Sequence, residues 1–324
     1  MKKFLKFLAI GIVLVAVAFY FLGIPYFTGL ITDYDRYTFE YVTENPKMVE
    51  AYGIADNRTP ADYGYANFEE VSYKTIFDGL NLNGWYIPAK KEVDQTLIIS
   101  HGRTSNRLKT MKYLELVSDY GLDTLYNVFI PDLRNSGKSD EAKTALGYEF
   151  AEDIVATMVM LKERNNQRDY VLWGFSMGAM ASATAVNRPD LVEYMDLNNV
   201  KVNKLILASP LSNIKETAWA GAQEMGLPKF IFNMAWNDFD KQTEGYSDKM
   251  KFSYLLSNNK LPALVLYTDT DKQTPAPILE QEVEGLYNVY PILFKNADHV
   301  QIYTRPEYKQ RYGDKVNEFL RMAF

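Results

Sequence analysis

The stretch YVLWGFSMGAMASATAV, residues 170–186, changes character at its centre. A β-branched and aromatic run leads into two glycines, Gly174 and Gly178, which flank Phe175, Ser176 and Met177. An alanine-rich run follows. The first part reads as a buried strand and the last as a helix. GFSMG fits G-x-S-x-G, a pattern that chance alone places in a chain this long about one time in ten at average residue usage. The strand before it and the helix after it are what a nucleophile elbow requires. Gly174 and Gly178 are the positions where a Cβ would crowd the neighbouring backbone. Ser176 is therefore the candidate nucleophile, against the plainer reading of a serine in an ordinary loop.

Moving outward from residue 170, apolar strands alternate with amphipathic helices. Toward the N-terminus, EEVSYKTIFDGLNLNGWYIPA reads as two strands joined at Asp78-Gly79, a hairpin signal. TLIIS is a short buried strand, and NRLKTMKYLELVSDYG a helix ending at Gly121. LDTLYNVFIPD is another strand. TALGYEFAEDIVATMVMLKERN puts Leu146, Phe150, Ile154, Met158 and Leu161 on one helical face. Beyond Val186, KLILAS, ALVLYT and YPILF are strands, and a closing helix spans about 306–324. This pattern predicts an α/β fold: a mostly parallel, doubly wound sheet covered on both faces, with an antiparallel opening hairpin. Residues 210–260 break the alternation. They are rich in Trp, Phe and Met, and are expected to form a helical cap over the carboxyl edge of the sheet.

A serine hydroxyl needs a base. The chain has only two histidines, His101 and His299. Both follow strands and fall at the carboxyl edge, where ligands bind in such sheets. His299 follows Ser176 and a further acidic candidate, giving the order Ser, Asp, His. It is expected to be the base, and His101 a packed, hydrogen-bonding turn residue. The acid should end ALVLYT, where Asp269 and Asp271 stand; Asp271 is the choice, with Asp269 expected to cap the turn through its own backbone. Asp298 adjoins His299 and should point elsewhere. Backbone N–H groups of Met177 and Arg103 are the expected oxyanion donors.

The inventory excludes other chemistries. With no cysteine there is no disulfide, thiolate or Cys-type zinc site. Two histidines leave no H-E-x-x-H or His₃ zinc site. Phosphate-cradling and dinucleotide glycine motifs are missing, so neither cofactor nor metal is expected. Residues 1–32 hold three lysines and no acid against a total of −6, so the remainder carries −9 and is a poor partner for nucleic acid. Lys2, Lys3 and Lys6 precede an apolar run from Phe7 to Ile24. Its length suits a bilayer, and its flanks put the following domain outside the cytoplasm. Ala16-Val17-Ala18 offers a cleavage site, but the apolar run continues past it. The expected organisation is a transmembrane anchor over 1–31, a juxtamembrane segment over 32–66, and a catalytic domain over 67–324 with its cap at about 210–260, held at the cell membrane as a single-pass protein.

With DGLNLNGWYIPA, SHGRTSNR, PDLRNSGKSD, WGFSMGA, YTDTDKQTP and ADHV in order across about residues 70–300, the chain resembles the α/β-hydrolase fold serine hydrolases. It is most similar to bacterial membrane-anchored members of the esterase and dienelactone-hydrolase-like group. The resemblance implies Ser176 as nucleophile, Asp271 as acid, His299 as base, and Met177 and Arg103 as oxyanion donors. One departure is Asn135-Ser136, where such proteins often carry a histidine before the glycine. The expected reaction is hydrolysis of a small-molecule carboxylic ester. A peptidase, an acyltransferase, or a non-catalytic receptor on the same fold are the alternatives. The cap residues Trp219, Met225, Phe230, Phe232, Met234 and Trp236 serve mainly to pack the insertion, but their place predicts an apolar acyl pocket.

Overall fold

The computed structural model describes residues 2–54 and 58–323, with only the backbone at Lys2 and Ala16. The Lys2 and Ala16 side chains, part of the basic cluster and of the A-x-A sequence, lie outside what is described, as do residues 1, 55–57 and 324.

Eight strands form one sheet: β1 Glu69–Lys74, β2 Asn81–Ile87, β3 Gln95–Ser100, β4 Asn127–Asp132, β5 Asp169–Phe175, β6 Lys201–Ala208, β7 Ala263–Thr268 and β8 Val289–Phe294. Their spatial order is β1-β2-β4-β3-β5-β6-β7-β8. Strand β2 runs antiparallel to β1 and β4, and the remaining pairs are parallel. The hairpin closes at Gly79, whose φ of +72° suits glycine. The unbroken apolar run in β5 has a simple cause. Tyr170 and Leu172 enter the core on one face, while Val171, Trp173 and Phe175 enter the core on the other. A strand covered on both sides needs no polar alternation.

Two helices differ from the expected spans. The segment after β3 breaks at Met111-Lys112 into Arg107–Thr110 and Tyr113–Asp119. The helix expected from residue 144 starts at Tyr148. Leu146 and Gly147 before it take positive φ, +54° and +104°, because the chain bends there against the Met177 carbonyl. Phe150, Ile154, Met158 and Leu161 share the buried face as expected; Leu146 precedes the helix. The insertion between β6 and β7 is helical, with Ile214–Glu224, Lys229–Gln242 and Phe252–Asn259. Phe232, Trp236 and Phe239 are buried in a run of ring contacts that starts at Trp219.

One helix, Lys3–Thr32, is long and apolar enough to cross a membrane. It contains a π-helical turn at Phe19–Gly23. Before and within that turn most of the described side chains stand exposed: Leu22 is 73% accessible. After it, Ile24, Thr28 and Thr32 are buried at a spacing of four, one stripe of a helix. The Thr28 hydroxyl lies 3.1 Å from an Asp238 carboxylate oxygen and 3.3 Å from the Ala235 carbonyl, both on the cap. The Arg103 guanidinium donates to the carbonyls of Ile31 and Asp33, at the carboxyl end of the helix. A cation there serves carbonyls that have no intrahelical partner. Residues 33–54 and 58–66 lie against the body of the domain, with Val42, Tyr52, Ile54 and Tyr65 buried.

The loop after β3 is fixed by a buried charge. Asp132, ending β4, accepts from the backbone N–H of Arg107 at 2.9 Å and of Lys138 at 3.0 Å. It also faces Arg107 Nε at 3.3 Å, and both side chains are 0% exposed. The guanidinium lies 4.3 Å from the Trp85 ring centre and reaches the half-exposed Glu70 at 2.8 Å. Removing the buried partner strands a desolvated cation. Asp132→Ala is expected to cost about 3–5 kcal/mol, and Glu70→Ala no more than about 1 kcal/mol. Urea unfolding midpoints of the two variants measure the difference.

Candidate active site

Ser176 sits between β5 and the helix Met177–Ala185 with φ +52° and ψ −117°, a conformation that a side chain normally avoids. The neighbouring glycines make the turn feasible. A Cβ on Gly174 would stand 2.3 Å from the Gly178 carbonyl oxygen, and one on Gly178 2.3 Å from the His101 carbonyl oxygen. A Cβ on Gly102 would meet the Ser176 Cβ at 2.9 Å. The serine, the helix start and the loop after β3 thus meet as closely as backbones can. The Ser176 N–H donates to the Ala208 carbonyl at 3.0 Å, and its carbonyl accepts from Leu211 at 3.2 Å.

The Ser176 hydroxyl lies 2.9 Å from His299 Nε2. His299 Nδ1 lies 2.7 Å from Asp271 Oδ2. Asp271 accepts three further bonds, from the N–H groups of Gln273 and Thr274 at 2.9 Å each and from the Thr274 hydroxyl at 2.8 Å. Burial opposes its charge, but the bonds from His299 and Thr274 outweigh it and hold the carboxyl below its ordinary range. Asp269 instead accepts from the Asn296 N–H at 2.8 Å, bracing the turn after β8. Asp298 turns outward to Arg305 at 3.1 Å.

His101 is fully buried. Its Nδ1 donates to the Gly102 carbonyl at 2.8 Å, and its Nε2 accepts from the Leu133 N–H at 3.0 Å. With both nitrogens engaged by backbone, it is a fixed neutral strut. Met177 opens its helix, so its N–H is among those that no intrahelical carbonyl serves. Arg103 follows Gly102 on the facing loop, bringing both expected donor positions to the Ser176 side of the sheet. Sequence reading had not found Thr274, which reaches both Asp271 and His299 Nδ1, the latter at 3.4 Å. Nor had it found Ser209, whose hydroxyl accepts from the Val300 N–H at 3.2 Å and steadies the histidine loop.

Ser176 stands between two cavities. The larger one, about 820 Å³, has a mixed lining in which Lys109, Gln301, His299 and Arg305 stand beside Tyr113, Phe175 and Val300. The apolar one, about 300 Å³, is bounded by Leu146, Met177, Leu211, cap residues including Ile214, Met225 and Phe232, and Phe27, Leu30 and Ile31 of the first helix. Arg103, Ser176 and Gln273 border both. Among the described residues, no group of three or more His, Asp or Glu side chains is arranged to hold a metal ion.

A family model for the α/β hydrolase fold matches residues 95–315. The chain belongs to the α/β-hydrolase fold family. Bacillus subtilis YqkD, itself an uncharacterized protein, is 27% identical over 270 residues that cover 79% of this chain and 82% of YqkD. A Mycoplasma genitalium protein named as a candidate esterase/lipase is 26% identical over 209 residues, covering 61% of this chain and 70% of its own. The Pyrococcus furiosus esterase Pf2001 superposes with a TM-score of 0.61 at 23% identity, over 81% of this chain and 95% of that one. That structural likeness shows the α/β-hydrolase fold alone.

His101 gives the site a pH signature separate from catalysis. Burial lowers its pKa, against smaller raising effects of the Gly102 carbonyl and Asp132. Below about pH 6.5, the ordinary histidine value, the unfolded chain takes up a proton that the folded chain refuses. Its contribution to stability is therefore present above that pH and lost as pH falls. His101→Gln should be less stable than the parent at pH 8, with the gap narrowing toward pH 5. Denaturant midpoints compared at each pH remove the opposing contributions of Glu149 and Asp153, whose carboxyls burial raises to about 7 and about 6.

Proposed function

We propose that this protein is a serine hydrolase of carboxylic esters with apolar acyl groups, acting through an acyl-enzyme on Ser176. The observation that carries the reading is the continuous chain Ser176 Oγ, His299 Nε2, His299 Nδ1, Asp271 Oδ2, with links of 2.9 and 2.7 Å. His299 Nε2 takes the hydroxyl proton as Ser176 Oγ bonds to the carbonyl carbon. Asp271 holds the imidazole with Nε2 free to accept, and stabilises the imidazolium once it forms. The N–H groups of Met177 and Arg103 receive the developing oxyanion. As the tetrahedral intermediate collapses, the ester C–O bond breaks and His299 returns its proton to the leaving alcohol. Water then repeats the sequence on the acyl-enzyme, regenerating Ser176 and releasing the acid.

In the same reading the first helix is a single membrane anchor, and residues 67–324 form the catalytic domain outside the cytoplasm. The lysines ahead of the apolar run support that orientation.

A fluorophosphonate probe, which captures activated serines, should label Ser176 in the parent and not in Ser176→Ala. Ester turnover should fall about a millionfold in that variant. Asp271→Asn should lose roughly 10⁴-fold in kcat through the wrong histidine tautomer, while Asp269→Asn retains most activity. Substantial turnover by Ser176→Ala, or a crippled Asp269→Asn beside an active Asp271→Asn, overturns the assignment. Protease added to intact cells should cut the catalytic domain. Full protection, with a protease that cuts the purified protein, reverses the orientation.

A further inference from the structure

The apolar cavity beside Ser176 is walled in part by the helix that is long enough to cross a membrane. Phe27, Leu30 and Ile31 stand on one side, facing Met225 and Phe232 of the cap. At 1.5 Å per residue, Phe27 lies about 8 Å along the helix axis from Leu22, whose side chain is 73% exposed in the apolar run. The rim of the cavity is itself apolar and open, with Leu30 43% and Met225 67% accessible. The exposed apolar surface and the cavity wall thus belong to one continuous helix. The larger cavity that also borders Ser176 is of mixed lining and carries the polar groups Lys109, Gln301 and Arg305. The helix is also tied to the catalytic loop: Arg103, beside Gly102, holds the Ile31 carbonyl at 3.1 Å.

We propose that the substrate is a membrane-resident acyl ester, and that the first helix forms one wall of its acyl site as well as holding the protein at the bilayer. The acyl chain enters along Phe27, Leu30 and Ile31 and ends with its carbonyl at Ser176. The polar alcohol portion occupies the larger cavity and leaves toward water. A site with an apolar lobe and a larger lobe that carries polar and charged groups, both bordering the nucleophile, selects an amphiphile, and a wall continuous with a spanning helix selects one already in the bilayer. This inference rests on the ester-hydrolase reading and gives it a substrate class.

The test uses the full chain reconstituted in phosphatidylcholine vesicles. A fluorophosphonate with a long alkyl chain ending in a diazirine is allowed to react with Ser176 and is then irradiated. Peptide mapping should find the photoadduct on residues 24–32. In parallel, kcat/KM is measured for p-nitrophenyl butyrate and for p-nitrophenyl palmitate carried in the vesicles. Each methylene accommodated is worth about fourfold, so the parent should favour the longer ester. Leu30→Asp, at an exposed position that folding tolerates, should lower the palmitate-to-butyrate ratio at least tenfold. Photoadducts confined to the cap or to other segments, or an unchanged ratio in Leu30→Asp, overturn the inference while leaving ester hydrolysis intact. Failure of any fluorophosphonate to label Ser176 overturns the underlying reading instead.

Discussion

The site depends on one steric constraint: three backbone segments approach one another around Ser176 too closely for any side chain at the contact. Gly174, Gly178 and Gly102 provide the missing Cβ atoms. The approach holds Ser176 at positive φ, at a cost of order 1–3 kcal/mol for a residue so placed. That strain persists because its surroundings are over-determined. Strand β5 is buried on both faces, and the serine's own backbone is bonded to Ala208 and Leu211 on the neighbouring chain segment. The loop after β3 has little freedom either, since Arg107 is locked to Asp132 and His101 to Leu133. Relaxing any one of these would let the elbow open.

The two histidines show how surroundings assign roles. Both follow strands at the same edge of the sheet. His101 spends its nitrogens on a backbone carbonyl and a backbone N–H, so it has no lone pair left to offer. His299 has one nitrogen on a carboxylate and the other on a hydroxyl. The difference was legible in the sequence from chain order alone. So were the strands, whose apolar runs leave no alternative, and the elbow glycines. Thr274 was not, because a threonine three residues after an aspartate resembles any turn residue until the aspartate's other partners are known. Leu146 looked helical because its spacing continued the stripe of Phe150 and Ile154. The backbone bend beside Met177 overrides that periodicity.

Long-range contacts set the remaining limit. Arg103 and Ile31 are 72 residues apart. No local pattern ties a basic residue in the loop after β3 to the end of an apolar helix. The apolar run in the sequence ends at Ile24, and nothing in the local pattern marks the threonines at positions 28 and 32 as buried. In the fold they mark the buried stripe, and Thr28 faces Asp238 of the cap. The upper helix and the lower helix are chemically alike in sequence and differ only in what covers them.

That division matters for anyone preparing a water-soluble form. Trimming the chain at Asp33, the natural place to cut by hydropathy, would strip Phe27 and Ile31 from the apolar cavity and remove the Thr28 hydroxyl from Asp238 and the Ile31 carbonyl from Arg103. The product would keep its elbow and its histidine, yet lose one wall of the apolar cavity and uncover part of the cap helix Lys229–Gln242. Cutting within the π-helical turn at Phe19–Gly23 removes most of the greasy surface and retains the packed stripe of Ile24, Thr28 and Thr32.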